Sequence, residues 1–453
     1  MSVAVSLEQI TATFTGRILQ PADSGYDDAR RVHNGLIDKR PAIIARCHGT
    51  ADVADAVKLA RTLNLEIAVR GGGHNVGGRG TIDGGLMIDL APMKGIHVNS
   101  STRTARAQGG VLWKELNRET QLHGLATTGG VVGTTGIAGL TLGGGLGWLM
   151  PKYGLALDNL KSAEMVMADG TVRRAAADEN PGLYWAIRGG GGNFGIAASL
   201  EYALHPVGPM IAGGLVAHPF PNGRDVLRFF RETCATLSDE TMMVAGLLTA
   251  PDGSGNKLVG LVAAHAGSLA DGEAALKPIK SFGPPVMDAM GPISYCAQNG
   301  LLDVSLPKGA LNYWKAHFVK DLSDDCIDAI LDAFAKCPSP MSQLVIEHFH
   351  GAASRVPVQD TACAMRITGF NVVIISQWTD PKDNDRCITW CRETYTSLAP
   401  YLGTTRYVNY LDTDEAGDPA AVAYGANYAR LRELKAKYDP ENVFHVNVNI
   451  RPR

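Results

Sequence analysis

The sequence lacks the features of several large classes of protein. It has no long run of lysine or arginine, and its formal net charge is −3, so no basic field is available to replace the counterions of a nucleic acid. It also has no uncharged apolar stretch of the about 18 residues that a membrane span requires. Neither nucleic-acid binding nor a membrane span is expected.

Paired cysteines and a secretory signal are missing as well. The eight cysteines are scattered, and none forms a C-x-x-C pair. The first residues, MSVAVSLEQI, do not place an apolar segment after a basic one, so no secretory signal is expected. Scattered thiols in a long chain are typical of a reducing compartment. The sequence therefore predicts a cytoplasmic protein.

Glycine is the residue in excess, with 52 among 453 positions, whereas about 7% is usual. Glycine forms three long clusters, in the segments 69–78, 129–147 and 188–195. Without a Cβ atom, glycine adopts positive φ and lets backbone N–H groups turn toward an anion. Three such segments so close together favour one large phosphate-bearing cofactor over unrelated tight turns.

Two familiar phosphate-binding motifs do not fit these segments. No Gly-Lys-Ser or Gly-Lys-Thr follows the first segment, so it is not a P-loop. The third segment contains Gly190-x-Gly192-x-x-Gly195, but residues 196–204 have the pattern of a strand. No acidic residue stands about 20 positions further on either, so a nicotinamide Rossmann domain is a poor fit.

The pattern of the chain divides it into three zones. Residues 1–206 are punctuated by glycine, with short strands and with a helix at 51–63 that Thr50 is expected to cap. Residues 207–407 alternate amphipathic helices with strands, which predicts an α+β domain with an antiparallel sheet. Residues 408–453 contain a strong helix. The expected helices beyond the first zone are 223–237, 323–336, 383–398 and 428–438, and the expected strands are 258–265, 344–350 and 370–377.

Four motifs together resemble the berberine-bridge-enzyme-like branch of the vanillyl-alcohol oxidase/para-cresol methylhydroxylase superfamily. The loop Arg70-Gly-Gly-Gly-His74-Asn75 resembles its flavin-anchoring loop. The segment Gly136 to Leu149, with the stretch Lys152 to Asn159 after it, is similar to its second FAD-binding segment, and Leu183 to Gly195 is similar to its third. Residues Lys437 to Asn449 match its closing signature. The resemblance extends from about residue 20 to the end and is weakest between residues 207 and 340.

The resemblance implies a fold and a cofactor. Residues 1–206 are expected to form an FAD-binding domain of two α+β subdomains, with a core at about 38–206. Residues 207–407 would form the substrate domain, whose antiparallel sheet is covered by helices, and 408–453 would return to the FAD domain. The positions that match FAD-binding residues of the family are Arg70, Gly71, Gly72, Gly73, His74, Asn75, Gly78, Gly129, Val132, Thr134, Thr135, Gly136, Gly139, Gly143, Gly144, Gly147, Gly195, Ile196, Asn447 and Asn449.

The family also implies how the flavin is attached. A histidine at the position of His74 bonds covalently to the 8α carbon of the flavin, and many members add a second bond from a cysteine. The corresponding position in this sequence is Val132, and no cysteine lies within the glycine segments. The resemblance therefore implies FAD bound covalently through His74 alone.

The reaction implied is removal of a hydride from a C–H bond next to an O–H or N–H group, with a base that accepts the heteroatom proton. Glu347 is one candidate for this base, on an alternating strand where it shares a face with Gln343 and Val345. A lone carboxylate among apolar neighbours can have a raised pKa. A plain exposed carboxylate fits the pattern equally well.

Tyr410 is the other candidate base, because Tyr407-Val-Asn409-Tyr410 resembles a family motif whose second tyrosine has that role. In an extended segment Tyr407 would point away from Tyr410, so it is the weaker candidate. The presence of Tyr410 favours an alcohol, a phenol or a sugar over an amine as the substrate.

Several alternatives stay open at this point. His348 and His350 share a strand face that suits a metal, but no third ligand is evident, so no metal site is expected. The leading hypothesis is an oxidase that reduces O₂ to H₂O₂. A dehydrogenase with another acceptor is the alternative, because the large, charged Arg79 stands where related enzymes control access of O₂. A flavin-binding protein without turnover is a third reading, and a homodimer is as compatible with the sequence as a monomer.

Overall fold

The computed structural model describes residues 13–415 and 417–453. The stretch MSVAVSLEQI, for which no secretory signal is expected, lies outside the described residues. Among the residues that the structure describes, no helix combines the length and the apolar character needed to cross a bilayer.

The strands of the glycine-rich half have two to eight residues, whereas most strands of the second half have seven to ten. The first group is β1 (Arg17–Leu19), β2 (Ile43–Arg46), β3 (Ile67–Arg70), β4 (Leu86–Asp89), β5 (Ile96–Asn99), β6 (Thr104–Gln108), β7 (Leu125–Ala126), β8 (Leu160–Val166), β9 (Val172–Ala176), β10 (Ile196–Ala203) and β11 (His205–Pro206). The second group is β12 (Met210–Pro219), β13 (Thr241–Thr249), β14 (Lys257–His265), β15 (Met287–Asp288), β16 (Gly291–Ser294), β17 (Leu311–Val319), β18 (Gln343–Phe349) and β19 (Gly369–Trp378).

The helices that the structure describes vary in length from four to 14 residues. They are α1 (Tyr26–Arg30), α2 (Thr50–Thr62), α3 (Trp113–Gln121), α4 (Ile137–Gly143), α5 (Met150–Tyr153), α6 (Pro181–Ile187), α7 (Gly223–Cys234), α8 (Leu269–Ser281), α9 (Tyr295–Gly300), α10 (Asp324–Ala335), α11 (Ala352–Arg355), α12 (Asn384–Ser397), α13 (Pro419–Tyr424) and α14 (Tyr428–Tyr438). The four helices expected beyond residue 206 are all present, within a few residues at each end.

The first glycine segment follows a buried parallel strand. A four-stranded sheet has the order β1-β2-β4-β3, in which β4 lies parallel to both β2 and β3. Strand β3 is apolar until Arg70, as expected for a strand covered on both faces.

The prediction that Thr50 is the N-cap of helix α2 is wrong. Gly49 is the N-cap and Thr50 the first helical residue, because the Thr50 hydroxyl donates instead to Glu164 at 2.6 Å.

The third glycine segment leads into the middle of a second sheet. This five-stranded sheet has the order β5-β6-β10-β8-β9 and is antiparallel throughout. Strand β10 begins at Ile196, directly after the segment, as the sequence predicts. Strands β8 and β9 form the hairpin around Asp169-Gly170, where Gly170 has φ 76°.

A large antiparallel sheet follows in the second half of the chain. Its eight strands have the order β15-β12-β14-β13-β18-β19-β17, with β16 also paired to β12. Helices α7, α8, α10 and α12 cover one face, and side chains such as Phe230, Ile330 and Trp390 form a buried cluster there with Ile346 of the sheet. The predicted α+β class with a helix-covered antiparallel sheet is confirmed. The change of sheets falls between Ala203 and Met210, where we propose the domain boundary.

The C-terminal residues pack back onto the glycine-rich half. Leu431 and Val448 belong to one buried cluster with Trp185 and Phe194. The ammonium group of Lys435 is fully buried, pairs with Asp439 at 2.6 Å and donates to the carbonyl of Asn193 at 2.7 Å. The chain end is thereby attached to the third glycine segment.

Candidate active site

A long cavity lies between the three glycine segments and the open face of the eight-stranded sheet. Its glycine-rich walls come from residues 69–76, 130–142 and 191–197, and its far wall comes from β17, β18 and β19. Tyr407, Val408, Asn409 and Tyr410 close it from the C-terminal part of the chain. Each glycine segment therefore reaches one continuous space.

Missing Cβ atoms allow the first two segments to touch. A Cβ atom on Gly72 would lie 2.3 Å from the amide nitrogen of Gly136, so the two backbones approach too closely for any side chain. Gly73 has φ 69°, in the left-handed region that favours glycine. Gly139 has no atom within 4 Å of a Cβ position, so this part of α4 faces open space in the cavity wall. Such a bare backbone surface fits the diphosphate and flat rings of FAD.

The cavity gathers many of the residues expected to bind FAD. Those that line it are Gly71, Gly72, Gly73, His74, Asn75, Val132, Thr135, Gly136, Gly139, Gly195, Ile196 and Asn447. The other expected residues do not line it: Arg70, Gly78, Gly129, Thr134, Gly143, Gly144, Gly147 and Asn449. Two of these, Arg70 and Thr134, line the second cleft beside the first glycine segment, and the expectation that all eight contact FAD stays a prediction.

Close backbone packing accounts for several of the glycines outside the cavity wall. A Cβ atom on Gly147 would lie 1.7 Å from the carbonyl oxygen of Gly129, and one on Gly143 would lie 2.1 Å from the Asn409 side chain. Arg70 instead forms a paired contact with the fully buried Asp89, at 2.9 Å and 2.7 Å. These residues hold the walls of the cavity in place.

His74 stands where the cavity meets a second cleft of about 580 Å³ on the other side of the first segment. Its Nε2 lies 2.8 Å from Oγ1 of Thr134, and its ring stacks on that of His33. Among the described residues, its Nδ1 makes no hydrogen bond. Burial lowers the pKa of His74 to about 3, and His33 adds to the effect, so the ring is neutral at pH 7.

Glu347 and Tyr410 meet at the sheet side of the cavity. The Tyr410 hydroxyl donates to Oε1 of Glu347 at 2.9 Å, and the Asn371 side chain donates to Oε2 at 2.8 Å. Asn371 is the direct cross-strand partner of Glu347. Glu347 is only 7% exposed, and burial raises its pKa while the two hydrogen bonds oppose that rise. Burial also raises the pKa of Tyr410, and the nearby Glu347 carboxylate raises it further.

The expectation that Tyr407 points away from Tyr410 is wrong. Residues 408–410 form a 3-10 turn rather than an extended segment, so positions three apart lie on one side. The two rings make an edge contact at 4.8 Å. The Tyr407 hydroxyl accepts hydrogen bonds from the Gly145 amide at 2.9 Å and from Asn409 at 2.8 Å. Those bonds tie Tyr407 to the second glycine segment.

The rest of the sheet side is mainly apolar. Its apolar side chains are Val131, Val132, Leu302, Leu306, Trp314, Val345, Val373 and Ile375. Its polar side chains include Glu347, Tyr410, Gln343 and Ser305. The Trp314 indole N–H is already donated to Asn312 at 3.1 Å.

His348 and His350 face away from the cavity and stack on each other, with ring centres 4.2 Å apart. The structure describes no group of three or more His, Cys, Asp or Glu side chains placed to hold a metal ion. Burial lowers the pKa of His348 to about 3, so it is an uncharged side chain of the helix-covered face at neutral pH.

Several residues around the site were not anticipated from the sequence. They are His33, Asn371, Trp314 and Tyr424, which line the cavity or contact residues that line it. The strand pattern that places Glu347 and Val345 on one face was available in the sequence. No local pattern indicates which strand pairs with β18, so the sequence does not predict that Asn371 lies beside Glu347.

Comparisons with known proteins agree with this geometry. A family model described as FAD binding domain matches residues 41–176, and one described as berberine and berberine-like matches residues 406–451. The chain is 31% identical over 415 residues to an FAD-linked oxidoreductase of Dictyostelium discoideum, covering 91% of this chain and 89% of that protein.

A bacterial oxidase is similar over nearly the whole chain. The (R)-6-hydroxynicotine oxidase of Paenarthrobacter nicotinovorans is 31% identical over 451 residues, covering 96% of this chain and 97% of that protein. The crystal structure of 6-hydroxy-D-nicotine oxidase from Arthrobacter nicotinovorans superposes with a TM-score of 0.89 at 29% identity. That superposition covers 97% of this chain and 99% of the other.

Proposed function

Because the chain belongs to the berberine-bridge-enzyme-like family of FAD-linked oxidoreductases, we propose that it is an oxidase of a small organic substrate. FAD, when bound, would take a hydride from a C–H bond next to an O–H or N–H group and pass the electrons to O₂, giving H₂O₂. The part of the protein is to hold the substrate, accept its proton and exclude water.

The hydrogen bond between Tyr410 and Glu347 carries this proposal. Because the tyrosine hydroxyl donates its own proton to the carboxylate, its oxygen is free to accept the proton of a substrate hydroxyl. Proton transfer to Tyr410 can then be coupled to transfer from Tyr410 to Glu347. Glu347 raises the pKa of Tyr410, so the tyrosine stays protonated and relays the proton while Glu347 is the final acceptor.

We propose His74 as the covalent anchor of FAD. A neutral imidazole is the nucleophilic form, and burial keeps the ring neutral by lowering its pKa to about 3. Thr134 engages Nε2, so Nδ1 is the nitrogen free to bond to the flavin. Val132 lies in the cavity wall, and none of the described residues that line the cavity is a cysteine. A single attachment through His74 is therefore the form we expect.

The side chains of the sheet side favour a largely apolar alcohol or phenol as the substrate. Sugars need many polar partners, whereas this part of the wall offers Gln343, Ser305 and the Tyr410–Glu347 pair among mainly apolar residues. A carboxylic acid would meet the buried Glu347, and none of the described residues on that wall is a lysine or arginine. Tyr410 adds an acceptor that suits a hydroxyl proton.

An anaerobic screen tests the oxidase proposal. Purified holoenzyme is mixed with alcohols, phenols, sugars and amines while the visible flavin absorbance is recorded, and air is then admitted while H₂O₂ is measured. Bleaching by an apolar alcohol or phenol, with H₂O₂ formed in equal amount, is the expected result. If no class of substrate bleaches the flavin, the oxidase proposal is overturned, and a protein that binds flavin without redox turnover is favoured.

Arg79 favours a dehydrogenase as the second candidate. Its guanidinium lines the cavity and donates to the carbonyl oxygens of Asp412 at 2.9 Å and Asn447 at 3.1 Å. A large side chain fixed beside the first glycine segment restricts the space through which O₂ would approach. Reoxidation of the reduced enzyme by a dye, at a rate far above that by air, would select the dehydrogenase.

We also propose a cytoplasmic location. All eight cysteines of the chain are free thiols, and burial raises the pKa of several of them, including Cys326 to about 12. Buried, protonated thiols are stable in a reducing compartment. Fractionation of the native host, with the protein followed by antibody, tests the location.

A further inference from the structure

His33 and His74 form a stacked pair beside the cavity. Their ring centres lie 3.8 Å apart and the planes differ by 26°. His74 lines both the cavity and the second cleft, whereas His33 lines the cleft. His33 therefore supports the ring of His74 from the side opposite the cavity.

The backbone of His33 is fixed by two different parts of the chain. Its N–H donates to the carbonyl oxygen of Gly73 at 2.9 Å, and its carbonyl oxygen accepts from the Gly309 amide at 2.9 Å. The next residue, Asn34, donates through its side chain to the carbonyl oxygens of Val76 and Asn312. The ring of His33 is thus held against the first glycine segment rather than resting on it loosely.

The stack joins two uncharged rings. Burial lowers the pKa of His33 to about 4, and Lys308 adds to the effect. The side chain is 7% exposed, and its buried Nε2 has no hydrogen-bond partner among the residues that the structure describes. Offset stacking of flat rings fixes their relative plane. At neutral pH, His33 therefore offers His74 a flat ring surface rather than a charge or a hydrogen bond.

We propose that His33 is a positioning residue that holds the imidazole of His74 in the orientation required for covalent attachment of FAD. The inference rests on the proposed bond through His74. The 8α carbon of the flavin is a methyl carbon. In the attachment, a bond forms between Nδ1 of His74 and this carbon while one of its C–H bonds breaks. The proton leaves to solvent, the electron pair stays on the flavin ring, and O₂ then takes up those electrons.

The rate of attachment is the measurement that tests this role. Full-length protein produced with limiting riboflavin is mixed with FAD, and covalent flavin is followed in acid-precipitated samples by in-gel fluorescence and by mass. His33→Ala should attach FAD about tenfold more slowly or worse, because misoriented groups lose effective concentration. His33→Phe keeps a flat ring without nitrogens and should attach FAD at nearly the wild-type rate.

A control histidine separates this role from a general loss of stacking. His205 stacks on Tyr153 at 3.9 Å and contacts Asn159 at 2.6 Å, away from the cavity wall. His205→Ala should attach FAD at the wild-type rate. The melting temperature and the affinity for non-covalent FAD are measured for every variant before attachment.

The outcomes distinguish this inference from the proposal on which it rests. If the wild type holds flavin but releases all of it in acid, the bond through His74 fails and the role of His33 fails with it. If the wild type attaches FAD and His33→Ala attaches it equally fast, the role of His33 alone is overturned. Equal slowing by Ala and Phe would contradict stacking as the cause. If His33→Ala attaches FAD slowly only because it binds FAD more weakly or melts at a lower temperature, the positioning role is contradicted and His33 is a structural residue.

Discussion

The phenol oxygen of Tyr410 lies 2.9 Å from Oε1 of Glu347, although the two residues are 63 positions apart in the chain. Glu347 belongs to the middle of the large sheet, and Tyr410 to a turn in the C-terminal part. Their hydrogen bond therefore joins two segments at the cavity. With Asn371 on its other oxygen, the carboxylate of Glu347 has a single fixed orientation.

Replacing Tyr410 with Phe removes the hydroxyl proposed to relay the substrate proton to Glu347 and leaves the ring in place. We expect kcat/KM to fall about 10²- to 10⁴-fold, which is the usual contribution of a positioned acid or base. The flavin content should change little, whereas the melting temperature should fall, because the buried Glu347 carboxylate loses one of its two hydrogen-bond donors. Steady-state oxygen consumption together with the flavin spectrum measures both effects.

The neighbouring Tyr407→Phe variant is the matched control. Removing its hydroxyl leaves the Gly145 amide without its acceptor, which costs about 1–3 kcal/mol for a buried donor. This variant should therefore lose stability, while its kcat/KM falls much less than that of Tyr410→Phe. The opposite order of the two activities would assign the proton acceptor to Tyr407.

Replacing Glu347 with Gln tests the proton relay through its pH dependence. The carboxylate must be ionised to accept a proton, so wild-type kcat/KM should rise with pH through the raised pKa of Glu347. Glutamine does not ionise, so the variant should be slow at every pH and lack this acidic limb. A pH profile that keeps the same limb in Glu347→Gln would assign it to another group.

The same substitution has a predicted effect on stability. The pKa of Glu347 is higher in the folded protein than in the unfolded chain. Its contribution to stability is thus fully present below about pH 4, near the pKa of an exposed glutamate. It is lost as the pH rises through the folded-state pKa. Glu347→Gln should therefore melt at a higher temperature than the wild type at pH 7, with the difference disappearing in acid. A variant that is less stable at pH 7 would contradict this.

The parts of the fold that follow from local pattern could be predicted. The helix Tyr428–Tyr438 ends before Asp439-Pro440, because a residue that precedes proline is disfavoured in helical backbone. Strand β10 begins directly after Gly195, as its run of apolar residues indicates. Glycine clusters mark a cofactor site for a similarly local reason, since each cluster needs close backbone approach at its own position.

The contacts that complete the site depend on tertiary structure. The stack of His33 on His74 requires residues 41 positions apart to meet, and nothing in the residues around His33 marks it as a partner. Tyr407 and Tyr410 show a different difficulty. A short 3-10 turn places the two side chains on the same side of the backbone, whereas an extended strand would place them on opposite sides. The choice between them is made by the hydrogen bonds of Tyr407 to Gly145 and Asn409.

Replacing Gly72 with Ala should separate the first two glycine segments. The new Cβ would lie 2.3 Å from the amide nitrogen of Gly136 and 2.7 Å from its Cα, so only backbone can move. We expect a loss of about 1–3 kcal/mol, as for other overpacked sites, together with a large drop in bound FAD. Thermal unfolding and the ratio of flavin to protein absorbance measure the two effects.

Gly246→Ala is the control for this prediction. Gly246 lies in β13, has no atom within 4 Å of a Cβ position and does not line the cavity. The alanine should leave both the melting temperature and the flavin content close to those of the wild type. Full flavin content in Gly72→Ala would show that the contact between the two segments is not needed for the cofactor.

Val132→Cys should add a second bond to the flavin. The Val132 side chain is 8% exposed in the cavity wall, at the position where the sequence resembles that of relatives with a linked cysteine. Cysteine is smaller than valine, so it fits without displacing Leu306, which belongs to the same apolar cluster.

In the double variant Val132→Cys/His74→Ala, flavin should still remain with the acid-precipitated protein, whereas His74→Ala alone should release it. Val131→Cys, on the adjacent residue of the wall, should not restore retention, because a reactive thiol must lie against the flavin carbon. Release of flavin by the Val132 double variant would show that this position lies too far from the ring.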